Sequence, residues 1–261
     1  MKAIALALSL VAVGLEAAAQ TAALSEAFNA LRPNLGKAAR VMERRKAAFV
    51  RPAELPETCA SLPVVYIQNG ILYKDGQELG RWAQSYKASC TGTVAWLDTT
   101  GTLRADREAL GRAAAYDISL VTGDVLWTDH SGLLSRNRQA LGRAQRSSMA
   151  SHTGDVAWLD YGGMLHKNAA QLGRAQQFLI SGRTGVVAWT DSWGRLHKDD
   201  AELGQSSRWS LCDRTGDIAW LDSWANLYKN EVKVGEGVTN YTLREDGRLI
   251  WQDSRGRHHQ A

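Results

Sequence analysis

From Thr153 to Asn168 the chain reads TGDVAWLDYGGMLHKN, with Val156, Trp158 and Asp160 on one side of an extended backbone and Ala157 and Leu159 on the other. A short interval of turn residues follows, then a second alternating run ending in Leu165-His166-Lys167. The pattern predicts a strand, a tight turn and a second strand. Both faces of the first strand are substantially apolar, which calls for a sheet covered on both sides rather than wetted on one. The same arrangement returns as TGVVAWTDSWGRLHKD from Thr184 and TGDIAWLDSWANLYKN from Thr215.

The period is constant. Thr91, Thr122, Thr153, Thr184 and Thr215 each lie 31 residues after the last, Asp246 continues the frame, and Gly70, Leu72, Leu79 and Gly80 hold the matching places upstream, which makes seven copies of the hairpin. From the second copy on, the core strand is V-x-W-x-D, from Val94, Trp96 and Asp98 to Leu249, Trp251 and Asp253. Next comes D-x-x-G, as in Asp98-Thr99-Thr100-Gly101, the residue pattern of a type I turn whose carboxylate accepts nearby backbone N–H groups. A short strand G-x-L-x-K completes a β-hairpin. L-G-R then recurs at Leu79, Leu110, Leu141 and Leu172, before a looser alternating segment such as Tyr116-Asp117-Ile118 or Trp209-Ser210-Leu211.

Units of three or four short strands cannot bury their apolar faces alone, so they must pack on one another. Stacked as a β-solenoid, the Asp column and the Arg column would become like-charge ladders at about 4.8 Å, costing about 0.8 kcal/mol per neighbouring pair even in bulk water. A β-propeller fans equivalent positions apart and gives each sheet face a neighbouring blade. The expected fold is therefore all-β, a propeller of seven short blades. Six is the alternative count, because six full units run from an L-G to the next hairpin. Thirty-one residues is short against the usual 40–45 or so per blade, which predicts very short strands or three-stranded blades.

The chain start adds a compartment. Lys2, the apolar run Ala3–Leu15 and Ala17-Ala18-Ala19 read as a secretory signal peptide over residues 1–19, so the protein is expected to be secreted, periplasmic or at the cell surface, with no membrane span after cleavage. Residues 20–56 read as a basic helical segment and linker: Thr21–Leu31 and Asn34–Phe49 as two helical pieces parted by Pro33, then Arg51–Pro56. Residues 57–261 form the repeat domain. The net charge of +4 is mild and mixed with many acids, which does not indicate a nucleic-acid partner. Of three cysteines, Cys59 and Cys90 are one repeat apart and are the expected disulfide, which leaves Cys212 over.

Candidate chemistry points away from catalysis. G-x-S-x-G, H-E-x-x-H and P-loop patterns do not occur, and no enzyme activity, cofactor or metal is expected. The repeated Asp is explained by its turn, and the repeated Trp by packing between units. His166 and His197 share a repeat column with Tyr73, Arg104, Ser135 and Tyr228 and read as exposed or semi-exposed strand positions. More telling are the residues in which the turn tips differ: Tyr161, Trp193, Trp224 and His130. A large aromatic at a water-facing tip has no packing duty that the other copies share, and its flat apolar face suits stacking on sugar rings or on protein. These four are the candidate ligand-binding residues. Arg81, Arg112, Arg143 and Arg174, which could gather at one rim, are secondary candidates. Trp82 and Trp209 lie in the looser segment.

The unit V-A-W-L-D-x-x-G-x-L-Y-K, carried by Trp220, Asp222, Leu227, Tyr228, Lys229 and their counterparts over residues 60–261, resembles the repeats of tectonin- and tachylectin-like β-propeller lectins. The resemblance implies a propeller and permits a lectin-like role, and it transfers no sugar-contacting residue. The expected partner is a glycan or cell-envelope polysaccharide bound multivalently. The alternative is an envelope protein held on an interaction platform that includes the basic helix.

Overall fold

A computed structural model describes Cys59 and residues 61–261. The signal peptide, the two helical pieces and the linker expected upstream lie outside the described residues. Twenty-five strands, all paired antiparallel, make up the described chain, with no helix among the described residues. Most are four or five residues long, as in the second unit: Ala83–Ala88, Val94–Asp98, Thr102–Ala105 and Glu108–Arg112. Each internal unit is such a four-stranded meander. The third and fourth units are fused, because the 11-residue strand Gln139–Met149 ends one and begins the other. The first unit (Val65–Gln68, Ile71–Lys74, Gln77–Arg81) lacks a leading strand, and the last (Val238–Leu243, Leu249–Asp253, His258–Gln260) lacks a trailing one.

Two turns shape the second to sixth units. In D-x-x-G the Asp98 Oδ1 accepts the N–H groups of Thr100 and Thr102, both at 2.9 Å, and Gly101 N–H returns to the Asp98 carbonyl at φ 80°. The second turn, between the third and fourth strands, places Asp75, Asp106, Asn137, Asn168, Asp199 and Asn230 at φ of 48–52°, a left-handed conformation that Asn and Asp tolerate best among residues with a side chain. The Asn137 side-chain oxygen then accepts Val125 N–H at 2.8 Å, tying that turn to the start of the core strand.

The core is a series of layers between successive units. Ala157 and Leu165 of the fourth unit pack on Phe178, Val187 and Trp189 of the fifth; Ala188 and Leu196 of the fifth pack on Ile218 and Trp220 of the sixth. One face of each sheet thus covers the opposite face of the next. Leu72, Leu103, Leu134, Leu165, Leu196 and Leu227, one per unit, are wholly buried. Burying a side chain of this size stabilises by about 1.5–3 kcal/mol, so these layers dominate the fold's stability.

The glycine of L-G-R is the seat of the next unit's tryptophan. A Cβ on Gly173 would stand 2.6 Å from Trp189 Cη2, and Gly80, Gly111, Gly142 and Gly204 meet Trp96, Trp127, Trp158 and Trp220 in the same way. Each indole also donates to the carbonyl of its own unit's left-handed turn, as Trp189 Nε1 does to Asp199 at 2.7 Å. Polar links join the units at the Thr-Gly end: Cys90 N–H to Leu120 C=O (2.7 Å), Val121 to Ser151 (3.0 Å), His152 to Gly182 (2.9 Å) and Arg183 to Asp213 (3.2 Å). Lys74 and Lys167 bridge to Asp106 and Asp199 of the following units. Cys59 and Cys90 form a disulfide with Cα atoms 5.2 Å apart, while Cys212 is buried with its thiol 3.3 Å from the Arg244 carbonyl.

Candidate ligand-binding edge

Antiparallel meanders sort their connections by end. The Thr-Gly turns and the left-handed turns fall at one end of the sheets, and the D-x-x-G turns and the crossings from one unit to the next at the other. Tyr161, Trp193 and His130 stand on D-x-x-G turns and Trp224 on the matching Asp222–Ala225 turn; Arg81, Arg112 and Arg174 close strands beside these turns and Arg143 pairs with Leu133 next to the Asp129 turn, so both groups occupy the same end.

Exposure separates the two kinds of aromatic. Tyr161, Trp193 and Trp224 are 68%, 70% and 80% exposed, whereas the core-strand Trp96, Trp158, Trp189, Trp220 and Trp251 are 3–8% exposed. His130 is exposed on the first tip position, like Tyr161 in the following unit. The tips are rigidly mounted. Trp193 and Trp224 donate their N–H groups to Asp191 and Asp222 at 2.9 Å, and Gln205 Nε2 holds the Trp193 carbonyl at 2.9 Å. Above the Trp193 ring, the Arg195 guanidinium lies 4.9 Å from the centroid.

Adjacent turns touch. The Tyr161 hydroxyl would lie 3.1 Å from a Cβ on Gly132, in the preceding unit's turn. Arg143, Trp158, Asp160, Tyr161, Gly162 and His166 line an open cleft of about 470 Å³. Arg143 belongs to the third unit, where it pairs across the strands with Leu133 just past the Asp129 turn, so the cleft spans two units. Arg81 is engaged by Glu78 at 2.8 Å. Arg112, Arg143 and Arg174 are exposed and sit in no ion pair among the described residues.

The turn carboxylates are structural. For Asp98, Asp191 and Asp222, burial works to raise the carboxyl pKa, but side-chain and backbone donors outweigh it and hold each group below its usual range. The Ser131 hydroxyl and Leu133 N–H, helped by the Arg143 guanidinium, do the same for Asp129. Met164 N–H leads at Asp160, and the His259 imidazole at Asp253.

The histidine column falls at the semi-exposed end of the expectation. His166 and His197 have side chains only 17% and 12% exposed, and each stacks on its cross-strand tryptophan at 4.0 Å, at 9° to Trp158 and 10° to Trp189. Position across the strand from a buried indole, rather than strand exposure, decides their place. Trp209 is half-buried opposite Trp220, and Trp82 is 70% exposed at φ 63° on the crossing between the first two units.

Two residues of this edge were not singled out from the sequence. Arg255 occupies in the last turn the tip position that Trp193 and Trp224 occupy in theirs, and Arg195 covers Trp193. Aligning the turns by position, rather than searching them for aromatics, would have found Arg255.

No protein-family model matches the chain, and no curated protein matches its sequence. Among solved structures, the WD40 β-propeller domain of Doa1 is 9% identical at a TM-score of 0.27, covering 77% of this chain and 88% of that one. Hsv2 of Kluyveromyces lactis is 13% identical at 0.37, covering 73% and 88%. A chain of a mitotic checkpoint complex is 10% identical at 0.29, covering 76% and 83%. This is an all-β chain of repeated antiparallel meanders. Among the described residues no helix is long and apolar enough to cross a membrane, and no group of three or more His, Cys, Asp or Glu is placed to hold a metal ion.

Proposed function

We propose that the chain is an exported, non-catalytic β-propeller that binds glycans or cell-envelope polysaccharide multivalently through its D-x-x-G edge. The observation that carries this reading is the exposure of Tyr161, Trp193 and Trp224 on rigid turns of three consecutive units, against burial of the core-strand tryptophans. Each flat ring offers one weak stacking site for a sugar, and a long polymer touching several gains from effective concentration. The propeller reading is supported by the face-to-face layers between successive units, which give each sheet face a neighbouring sheet to pack on. Export is supported by Lys2, the run Ala3–Leu15 and Ala17-Ala18-Ala19.

A glycan array tests the reading directly. Wild-type protein is expected to bind a set of sugars that Trp193→Ala/Trp224→Ala loses, with an unchanged melting temperature. Absence of any sugar binding by the wild type ends it. A second reading, a protein-interaction platform, is favoured by Leu62, Val64 and Tyr66, exposed on and just ahead of Val65–Gln68, an edge strand of the first unit. Pull-down from envelope extract that survives Val64→Glu/Tyr66→Glu would remove that edge from it.

A further inference from the structure

The donors and acceptors left free at the D-x-x-G edge are unbalanced. Neutral sugars present many hydroxyl groups, and proteins that hold them through polar contacts need carboxylate or amide oxygens to receive those protons. Here the obvious acceptors are already committed. In each turn Oδ1 of the aspartate takes two backbone N–H groups, as Asp160 does from Gly162 at 2.8 Å and Met164 at 2.9 Å. The second oxygen is taken by a side chain in most copies: His166 at Asp160, Arg195 at Asp191, Asn226 at Asp222, and Arg257 with His259 at Asp253. Amide oxygens such as those of Gln176 and Gln177 stay open, as does the second oxygen of Asp129, but the free full charges of this edge are mainly cationic. Arg112, Arg143, Arg174 and Arg255 are exposed guanidinium groups outside any ion pair among the described residues.

Their placement follows the aromatics. Arg143 shares the 470 Å³ cleft with Tyr161, and Arg174, opposite Met164 just past the Asp160 turn, closes the fourth unit's edge before the Trp193 turn. Arg195 lies over Trp193 itself. The cationic row stops where Gln205 replaces the arginine and Glu236, paired with Lys233, follows it. Across the third to fifth units, forked donors therefore alternate with stacking faces. A guanidinium fork matches a carboxylate or sulfate with two parallel hydrogen bonds.

We infer that the ligand of this edge is an anionic polysaccharide, with carboxylates or sulfates set between sugar faces, so that the rings of Tyr161 and Trp193 stack on sugars while Arg143 and Arg174 clamp the acidic groups. This rests on the glycan-binding reading above.

Binding of the full chain to polygalacturonate and to neutral galactan of the same length, with polyglutamate as a sugar-free polyanion, tests it. Each exposed guanidinium contact contributes up to about fivefold in affinity, so Arg143→Gln/Arg174→Gln is expected to weaken polygalacturonate binding by about tenfold. It should change galactan binding less than twofold, and raising the salt should weaken wild-type binding to the acidic polymer alone. Tyr161→Ala should weaken binding to both sugars. All these side chains are exposed, and unchanged melting temperatures check the fold of the variants. Equal affinity for both sugars, indifferent to salt and to the double arginine variant, overturns the anionic inference and leaves glycan binding standing. Polyglutamate bound as well as polygalacturonate, with no effect of Tyr161→Ala, overturns it too, since charge alone would then act. No binding to either sugar removes the glycan reading itself.

Discussion

Replacing Gly173 by alanine isolates the joint between the fourth and fifth units. Its backbone lies in a region open to any residue, so the substitution carries no left-handed penalty, and the only obstacle is the ring of Trp189. The new Cβ would stand 2.6 Å from Cη2, 3.3 Å from Cζ3 and 3.4 Å from Cζ2. Ordinary carbon contacts begin near 3.5 Å, so the indole must retreat by about 1 Å. It is held on one face by His197, stacked at 4.0 Å, and at its nitrogen by the 2.7 Å hydrogen bond to Asp199. Overpacking of this kind costs about 1–3 kcal/mol, and a strained or broken indole hydrogen bond about 1 kcal/mol more. The expected loss is about 2–4 kcal/mol, a fall in melting temperature of about 5–15 °C for a domain of this size. Thermal unfolding by circular dichroism and the near-ultraviolet signal of the tryptophans measure it. In a Trp189→Leu background the same substitution should cost at least 1 kcal/mol less, because the atoms it strikes are gone. A Gly173→Ala protein that melts within 1 °C of wild type would refute the idea that this glycine exists to seat the indole.

Two further outcomes follow from the same structure. The Cys59–Cys90 disulfide closes a loop at a sequence separation of 31, and its removal by Cys59→Ser/Cys90→Ser should cost about 3–4 kcal/mol in denaturant unfolding; a loss below 1 kcal/mol would contradict this. The carboxyls of Asp98, Asp129, Asp160, Asp191, Asp222 and Asp253 all titrate below the unfolded value of about 3.9. Their stabilisation is therefore complete above about pH 4 and is lost as the pH falls through the folded values. The urea midpoint should drop between pH 6 and pH 3, and an unchanged midpoint would show that these turns do not need their charge.

Much of the fold was legible because its signals are local and repeated. The Asp of each turn bonds residues two and four positions ahead, so its role shows in a window of five residues, and V-x-W-x-D displays its two apolar faces directly. What stayed hidden depends on residues distant in the chain. Gly173 acquires its purpose from Trp189 in the next unit, and nothing near it in sequence hints at an indole. His166 reads as an exposed or semi-exposed strand residue, and only the pairing register reveals that it is set against Trp158. The shared strand Gln139–Met149 was concealed for another reason, since the L-G-R of one unit and the looser segment of the next read as separate pieces in every copy. At the candidate edge the positions of the tip aromatics were legible, whereas the saturation of the turn carboxylates, which bears on the choice of ligand, needed the hydrogen bonds.

Because each indole rests on a glycine donated by the copy before it, a repeat is complete only in the company of its predecessor. Excising 31 residues in frame at an internal joint brings an equivalent glycine under the next tryptophan and restores the seam. A cut that is not a whole number of copies leaves a ring without a socket. Such an array tolerates gain or loss of whole copies at its seams but not of single residues, a constraint set by a single missing methyl group.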